Sequence, residues 1–203
     1  MANYRNYKTS RILPTILVIV VIIVVIVALV SIARALFFSG SSTSEVVVDT
    51  TRQALLDTSA GSAVSMTVRG PIVANENFRS YRIEVSPNGR QLQTYSGYLD
   101  QVLSDDTLPN NTAAYDQFVH ALDLANYTKG VQFADDKNDV RGICATGRVY
   151  EFRILKDNAP VEMLWTSSCK GSTGSLQASV EQISALYTNQ IPNANSVIRK
   201  LAL

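Results

Sequence analysis

Near the amino terminus the chain contains a run of 22 consecutive uncharged residues, Ile12 to Ala33, dominated by isoleucine and valine. As a helix rising about 1.5 Å per residue, the run would reach about 33 Å, enough to cross the ~30 Å hydrocarbon core of a bilayer. A water-soluble domain has no need of a helix that is apolar on every face. We therefore expect a transmembrane helix within residues 12–38, with the lipid bilayer as the partner of Ile12 to Ala33.

The charges that flank this run predict its orientation. The tail before it carries Arg5, Lys8 and Arg11 and no acidic residue, while beyond Arg34 the next charge is Glu45. Short positively charged flanks remain in the cytoplasm, so the tail should lie inside and the rest of the chain outside.

A cleaved signal peptide is the alternative interpretation, because residues 33–35 imitate a small-x-small cleavage site. The apolar run is longer than the roughly 7–15 residues of a signal-peptide core, which favours an uncleaved signal anchor. The predicted organisation is a basic cytoplasmic tail over 1–11, a signal-anchor helix over 12–38, a Ser/Gly linker over 39–44 and one extracytoplasmic domain over 45–203.

The charge balance of this last domain limits its partners. From Glu45 onward the chain has 14 basic and all 17 of its acidic residues, so its formal charge is −3. Mild acidity with interspersed basic residues argues against nucleic acid as a partner. The domain is also long enough to enclose one hydrophobic core.

Hydrophobic spacing in the domain predicts an α+β fold, in which an antiparallel sheet of two hairpins is packed by amphipathic helices. The predicted extended segments are Ala63–Arg69, the hairpin Phe78–Val85 with Gln91–Tyr98, a brief strand Val131–Phe133, and the hairpin Arg148–Leu155 with Pro160–Ser167. The predicted helices are Thr43–Asp57 behind a Ser42/Glu45 capping box, Thr112–Asn126 capped by Thr112, Leu176–Tyr187 capped by Ser175, and a last turn around Val197–Leu201. The stretch Ser104–Asn111 is polar and contains Pro109, which indicates a loop.

Two sequence fragments echo each other and raise the hypothesis of a duplicated unit. Val68-Arg69-Gly70 precedes the first hairpin and Val140-Arg141-Gly142 precedes the second, at similar distances. The order of strand, hairpin and helix would then occur twice.

Cys144 and Cys169 are the two cysteines of the chain, and both lie in the predicted exported domain. A two-residue loop at Asp157-Asn158 would place Cys144 opposite position 171, within two residues of Cys169. An oxidising compartment favours pairing, so we expect a structural disulfide. A metal or redox pair is the weaker interpretation, because the Cys-x-x-Cys spacing is missing.

Three segments could carry chemistry, and each has a simpler explanation. His120, with Asp116 and Asp123 on the same predicted helix face, could be a general base, but a solvated polar stripe explains it as well. The acidic segment 135–139 lacks the glycine and terminal glutamate of a calcium loop. The segment 170–175 lacks the end of a nucleotide-binding P-loop. We therefore assign no catalytic, metal or cofactor residue.

The composition of the first hairpin predicts a partner surface. It is rich in the residue types that are enriched at protein interfaces, namely Tyr95, Tyr98, Arg79, Arg82 and Arg90. The leading hypothesis is a membrane-anchored, non-enzymatic interaction or scaffold domain outside the cytoplasm that binds another envelope protein. A subunit of a multi-protein envelope machine for secretion, division or pilus assembly is the first alternative, and an envelope hydrolase is the second.

Overall fold

A six-stranded antiparallel sheet forms the centre of the structure, a computed structural model that describes residues 49–203. The strand order is β4-β3-β2-β1-β5-β6, so that the first strand lies in the middle with one group of strands on each side. The strands are β1 (Ser62–Arg69), β2 (Arg79–Val85), β3 (Gly89–Ser96), β4 (Gln101–Pro109), β5 (Val149–Lys156) and β6 (Ala159–Ser167). The predicted α+β class is confirmed.

Several predictions fall outside the described residues. They are the basic tail, the transmembrane helix, the linker and the Ser42/Glu45 capping box. Within residues 49–203, every helix is too short or too polar to span a bilayer.

Within residues 49–203, four α-helices accompany the sheet: α1 (Thr50–Leu55), α2 (Thr112–Leu124), α3 (Val180–Thr188) and α4 (Ala194–Lys200). The cap of α2 is Asn111, whose side chain accepts a hydrogen bond from the amide of Ala114, and not Thr112 as predicted. The cap of α3 is Ser179 and not Ser175. In both cases the capping residue lies outside the helix and has extended backbone angles, which leave its side chain free to accept from the first turn.

The core lies between the helices and one face of the sheet. Strand side chains alternate between faces, and the apolar members of each strand point to the helices. The buried strand residues on this side include Val64, Met66, Ile83, Leu92, Phe152 and Leu164, and the helices contribute Phe118, Leu122, Ile183 and Tyr187. The hydroxyls of Tyr127 and Tyr187 are 2.8 Å apart inside the core, which satisfies both polar groups.

The segment predicted as a polar loop is a strand. β4 pairs with β3 from Gly89 opposite Pro109 to Ser96 opposite Gln101, with one bulge. Its side chains are mostly exposed and include two adjacent aspartates, so its sequence lacks the alternating hydrophobic pattern from which a strand can be predicted. Charged residues are common on edge strands because they discourage pairing with other chains, and proline is tolerated at a strand end.

The hypothesis of a duplicated unit is wrong in its second half. Val68 and Arg69 end β1, whereas Val140–Gly142 lies in a turned segment. Between α2 and β5 the described chain has no strand, and the predicted strand Val131–Phe133 is irregular, with only an isolated bridge from Gly130 to Leu176. β5 instead pairs directly with β1.

The second hairpin and the disulfide agree with the sequence analysis. Asp157 and Asn158 both have positive φ, as a two-residue type I′ turn requires. Cys144 and Cys169 form a disulfide with a Cα–Cα distance of 5.6 Å. It joins the segment before β5 to the segment after β6.

Candidate functional site

The face of the sheet that points away from the helices is polar at its centre. Thr67 of β1 lies opposite Arg82 of β2 and opposite Glu151 of β5. Arg69 follows two residues later on β1, and Arg153 follows two residues after Glu151. Since residues two apart share a face, three arginines and one glutamate surround Thr67 on the same side. We call this side the open face.

Part of the open face is covered by the chain between α2 and β5. The amide of Met163 on β6 donates to Oε1 of Gln132 at 2.6 Å, and the ring of Phe133 packs edge-on against Trp165 at 6.1 Å. The disulfide at Cys144 fixes the later part of the same segment. The β5–β6 half is therefore covered, whereas the part of the chain that the structure describes leaves the β2–β3 half open.

Glu151 is almost fully buried on this face, with 1 % of its side chain exposed. Nε of Arg69 donates to its Oε1 at 2.7 Å, and Nη2 of Arg153 donates to its Oε2. Both carboxylate oxygens are thus satisfied by guanidinium groups that remain partly exposed. A buried charge is tolerated only when it is paired and hydrogen-bonded in this way.

Arg82 is engaged less completely. One of its terminal nitrogens donates to Glu84, but its Nε is buried without a hydrogen-bond partner among the described residues. Ser65, two residues from Thr67 on β1, also has a buried hydroxyl oxygen without a partner there. Buried polar atoms are nearly always satisfied, so unpaired donors of this kind indicate a place where a ligand or water completes the bonding.

Two adjoining cavities lie on this face, as formed by residues 49–203. The larger is about 540 Å³, and its apolar walls are Ile72, Phe78, Tyr98, Val149 and Met163. The smaller is about 140 Å³, and it is lined by Thr67, Ser80, Arg82 and Tyr95. Arg69, Asp100 and Arg153 line both, so the two cavities adjoin, and together we call them the cleft. We call the larger part the groove and the smaller part the recess.

The wall of the groove near β2 is held by Tyr98. Its ring stacks on Phe78 with a centroid separation of 4.2 Å, and its hydroxyl donates to the carbonyl of Val73 at 2.7 Å. The amide of Tyr98 donates to Oδ1 of Asn75 at 2.9 Å. These bonds tie the segment before β2 to the β3–β4 turn, so the wall is built from two loops that support each other.

The opposite wall comes from the chain that precedes the disulfide. Asp139 and Arg141 form an exposed ion pair there. Hydrogen bonds from the Arg141 side chain and amide lower the pKa of Asp139 to about 2, so it is a carboxylate at neutral pH. On the recess side, burial raises the pKa of Tyr95, which keeps its hydroxyl protonated. That hydroxyl donates to Oε1 of Gln93 at 2.7 Å.

The structure divides the predicted partner surface. Arg82 and Tyr95 lie together in the recess, and Tyr98 lines the groove. Arg79 lies near the same end of the sheet, where its guanidinium donates to the carbonyls of Glu76 and Phe78. Arg90 does not belong to this surface: it lies opposite buried Val85, on the helix side, and donates to the carbonyl of Gln190 at 3.0 Å.

Four residues of the cleft were not predicted from the sequence, namely Arg69, Asp100, Glu151 and Arg153. A signal for Glu151 and Arg153 was present, because they alternate with Tyr150, Phe152 and Ile154 and therefore share the other face. Arg69 follows the same rule on β1. Their convergence could not be derived, because it needs the pairing of β1 with β5.

The histidine hypothesis gains no support from the geometry. His120 is half exposed, with Nε2 3.6 Å from Asp116, while Asp123 is held by Arg52 through two hydrogen bonds of 2.7 Å. The pKa of Asp123 is lowered mainly by that bonding to Arg52. The stripe of carboxylate, imidazole and carboxylate is thus divided between two separate ion pairs.

The two loops considered for ion binding have other roles. Asp139 of the acidic segment is engaged by Arg141, and residues 49–203 contain no cluster of three metal-ligating side chains. In the loop from Lys170, the amides of Ser175 and Leu176 both donate to the carbonyl of Trp165. The end of this loop is therefore bonded to the edge strand β6.

Comparison with known proteins adds no family to this description. No protein-family model matches the sequence, and no curated protein shows significant similarity to it.

Proposed function

We propose that the chain is a membrane-anchored, non-enzymatic binding domain that faces the outside of the cytoplasm and recognises another envelope protein. The observation that carries the proposal is the cleft on the open face. It combines apolar walls with a few oriented charges, which is the usual composition of a binding site. Glu151, Arg69 and Arg153 hold one another in place, so the charged floor of the cleft is preorganised.

The placement in the envelope rests on three features. The apolar run Ile12 to Ala33 is long enough to cross a bilayer, and the tail before it is basic. The disulfide between Cys144 and Cys169 is consistent with an oxidising compartment. The acidic balance of the domain supports a protein partner over nucleic acid.

Photocrosslinking in the native membrane tests the proposal. The full chain would carry p-benzoylphenylalanine in place of Tyr95, in the recess. Matched variants would carry it in place of Leu99, whose side chain is 95 % exposed at the β3–β4 turn, or of exposed Gln182 on α3. We expect one dominant protein adduct from position 95 and none from position 182.

Two outcomes would contradict the proposal. Adducts of equal yield from positions 95 and 182 would indicate nonspecific contact. An adduct from position 99 without one from position 95 would move the interface away from the cleft to the end of the sheet.

A further inference from the structure

The recess presents more hydrogen-bond donors than the protein satisfies. Each guanidinium has five N–H donors, and three of these groups meet around Thr67. Glu151 takes one donor from Arg69 and one from Arg153, and Glu84 bonds to a terminal nitrogen of Arg82. The buried Nε of Arg82 has no partner in the described part of the chain. The recess therefore suits a small group with several acceptor oxygens.

The groove that continues from the recess is different in character. Phe78 and Tyr98 form one apolar wall, and Val149 and Met163 contribute to the lining. Because the two cavities share Arg69, Asp100 and Arg153, a ligand with its anionic end in the recess would place its next few atoms in the groove. The cleft thus matches an anionic group carried on an apolar body.

Asp100 restricts the ligand further. It lines both cavities, and its bonds are long: 3.4 Å from Nη1 of Arg69 and 3.5 Å from the hydroxyl of Ser80. A carboxylate held this loosely can accept a further hydrogen bond from a ligand N–H. A fatty acid has no N–H group and would place hydrocarbon against this charge, which is unfavourable. A peptide has an N–H close to its terminal carboxylate.

We infer that the cleft binds the C-terminal end of a peptide, with the terminal carboxylate among Arg69, Arg82 and Arg153 and an apolar last side chain between Tyr98 and Met163. Guanidinium groups bind carboxylates through paired, charge-assisted hydrogen bonds, which gives both energy and orientation. The inference rests on the proposed function and specifies it: the partner protein would be recognised by its free C-terminus.

Fluorescence anisotropy with the full chain in detergent micelles tests the inference. The probe is an amino-terminally labelled pentapeptide of four alanines and a final leucine, with a free C-terminal carboxylate. The comparison ligands are the same peptide with a C-terminal amide, and unlabelled decanoate as a competitor. We expect saturable binding of the acid, at least tenfold weaker binding of the amide, and no displacement by decanoate at equal concentration.

Variants separate the recess from general charge effects. Arg82→Gln should weaken binding of the acid peptide at least tenfold, because it removes the guanidinium with the unpaired donor. Arg199→Gln removes an exposed cation on α4 and should leave the affinity unchanged. Circular dichroism melts of both variants check that each remains folded.

Equal binding of acid and amide, or an unchanged affinity in Arg82→Gln, would overturn the inference. Displacement by decanoate would overturn it in favour of a lipid-derived carboxylate. If these results came with the expected crosslink from position 95, the binding domain would stand and only the ligand class would be wrong. If neither the expected peptide binding nor the crosslink from position 95 were observed, the proposed function would be rejected as well.

Discussion

Glu151 places a carboxylate where only 1 % of its side chain reaches solvent, between two guanidinium groups that are about 30 % exposed. Each guanidinium bonds to one oxygen of the carboxylate, so the three side chains hold one another in a fixed arrangement. One residue thus links the stability of the sheet to the shape of the recess. This link is the reason to treat the open face as a site and not as an ordinary polar surface.

Replacing this acid with its neutral isostere tests the arrangement. In Glu151→Gln both guanidinium groups lose their charged partner, and the amide nitrogen is directed at the N–H donor of one of them. We expect the free energy of unfolding to fall by about 2 kcal/mol, below the full cost of a broken buried pair because the arginines reach water. Urea denaturation followed by circular dichroism measures this change in the free energy of unfolding. Glu76→Gln, at an exposed position outside the cleft, is the control and should change stability by less than about 0.5 kcal/mol. A similar loss in both variants would refute the argument.

At the level of elements, the two hairpins were predictable because their turns carry explicit signals. The turn signals are Ser86-Pro87-Asn88-Gly89 and Asp157-Asn158, and the structure places both hairpins where those signals occur. β4 was not predictable in the same way, since its exposed and acidic side chains have no period. The covering segment from Val131 to Gly147 was also missed, because its position depends on contacts with Trp165 and on the disulfide.

The disulfide between Cys144 and Cys169 should stabilise the domain against unfolding. It closes a loop with a sequence separation of 25 residues. By the chain-entropy model, its loss should lower the free energy of unfolding by about 3 kcal/mol. For a domain of this size that corresponds to a melting temperature lower by about 6–12 °C. Thermal melts with and without reductant measure the effect, and the double variant Cys144→Ser/Cys169→Ser should melt at the lower temperature under both conditions. A reductant effect that persists in the double variant would show that the bond is not its cause.

The sheet organises the whole domain around two faces with separate tasks. The helix side holds the apolar core, and the open face holds the charges and the cleft. Sequence alternation alone indicated which residues share a face on each strand. The strand order determines which strands are neighbours, and it places β1 between β2 and β5. The arginines of three different strands meet for this reason. Their proximity could not be predicted from the sequence of either hairpin alone.

The proposed orientation of the whole molecule can be tested by thiol labelling in intact cells. Asn3→Cys adds a thiol to the basic tail, and Cys144 and Cys169 supply two in the domain once the disulfide is reduced. A membrane-impermeant maleimide, applied after a mild impermeant reductant, should label the domain thiols in intact cells because they lie outside. It should reach position 3 only after permeabilisation, because the positive tail remains in the cytoplasm. The Cys144→Ser/Cys169→Ser background isolates the signal from position 3. Labelling of position 3 in intact cells, with domain thiols reached only after permeabilisation, would invert the topology and remove the cleft from the compartment in which its partner is expected.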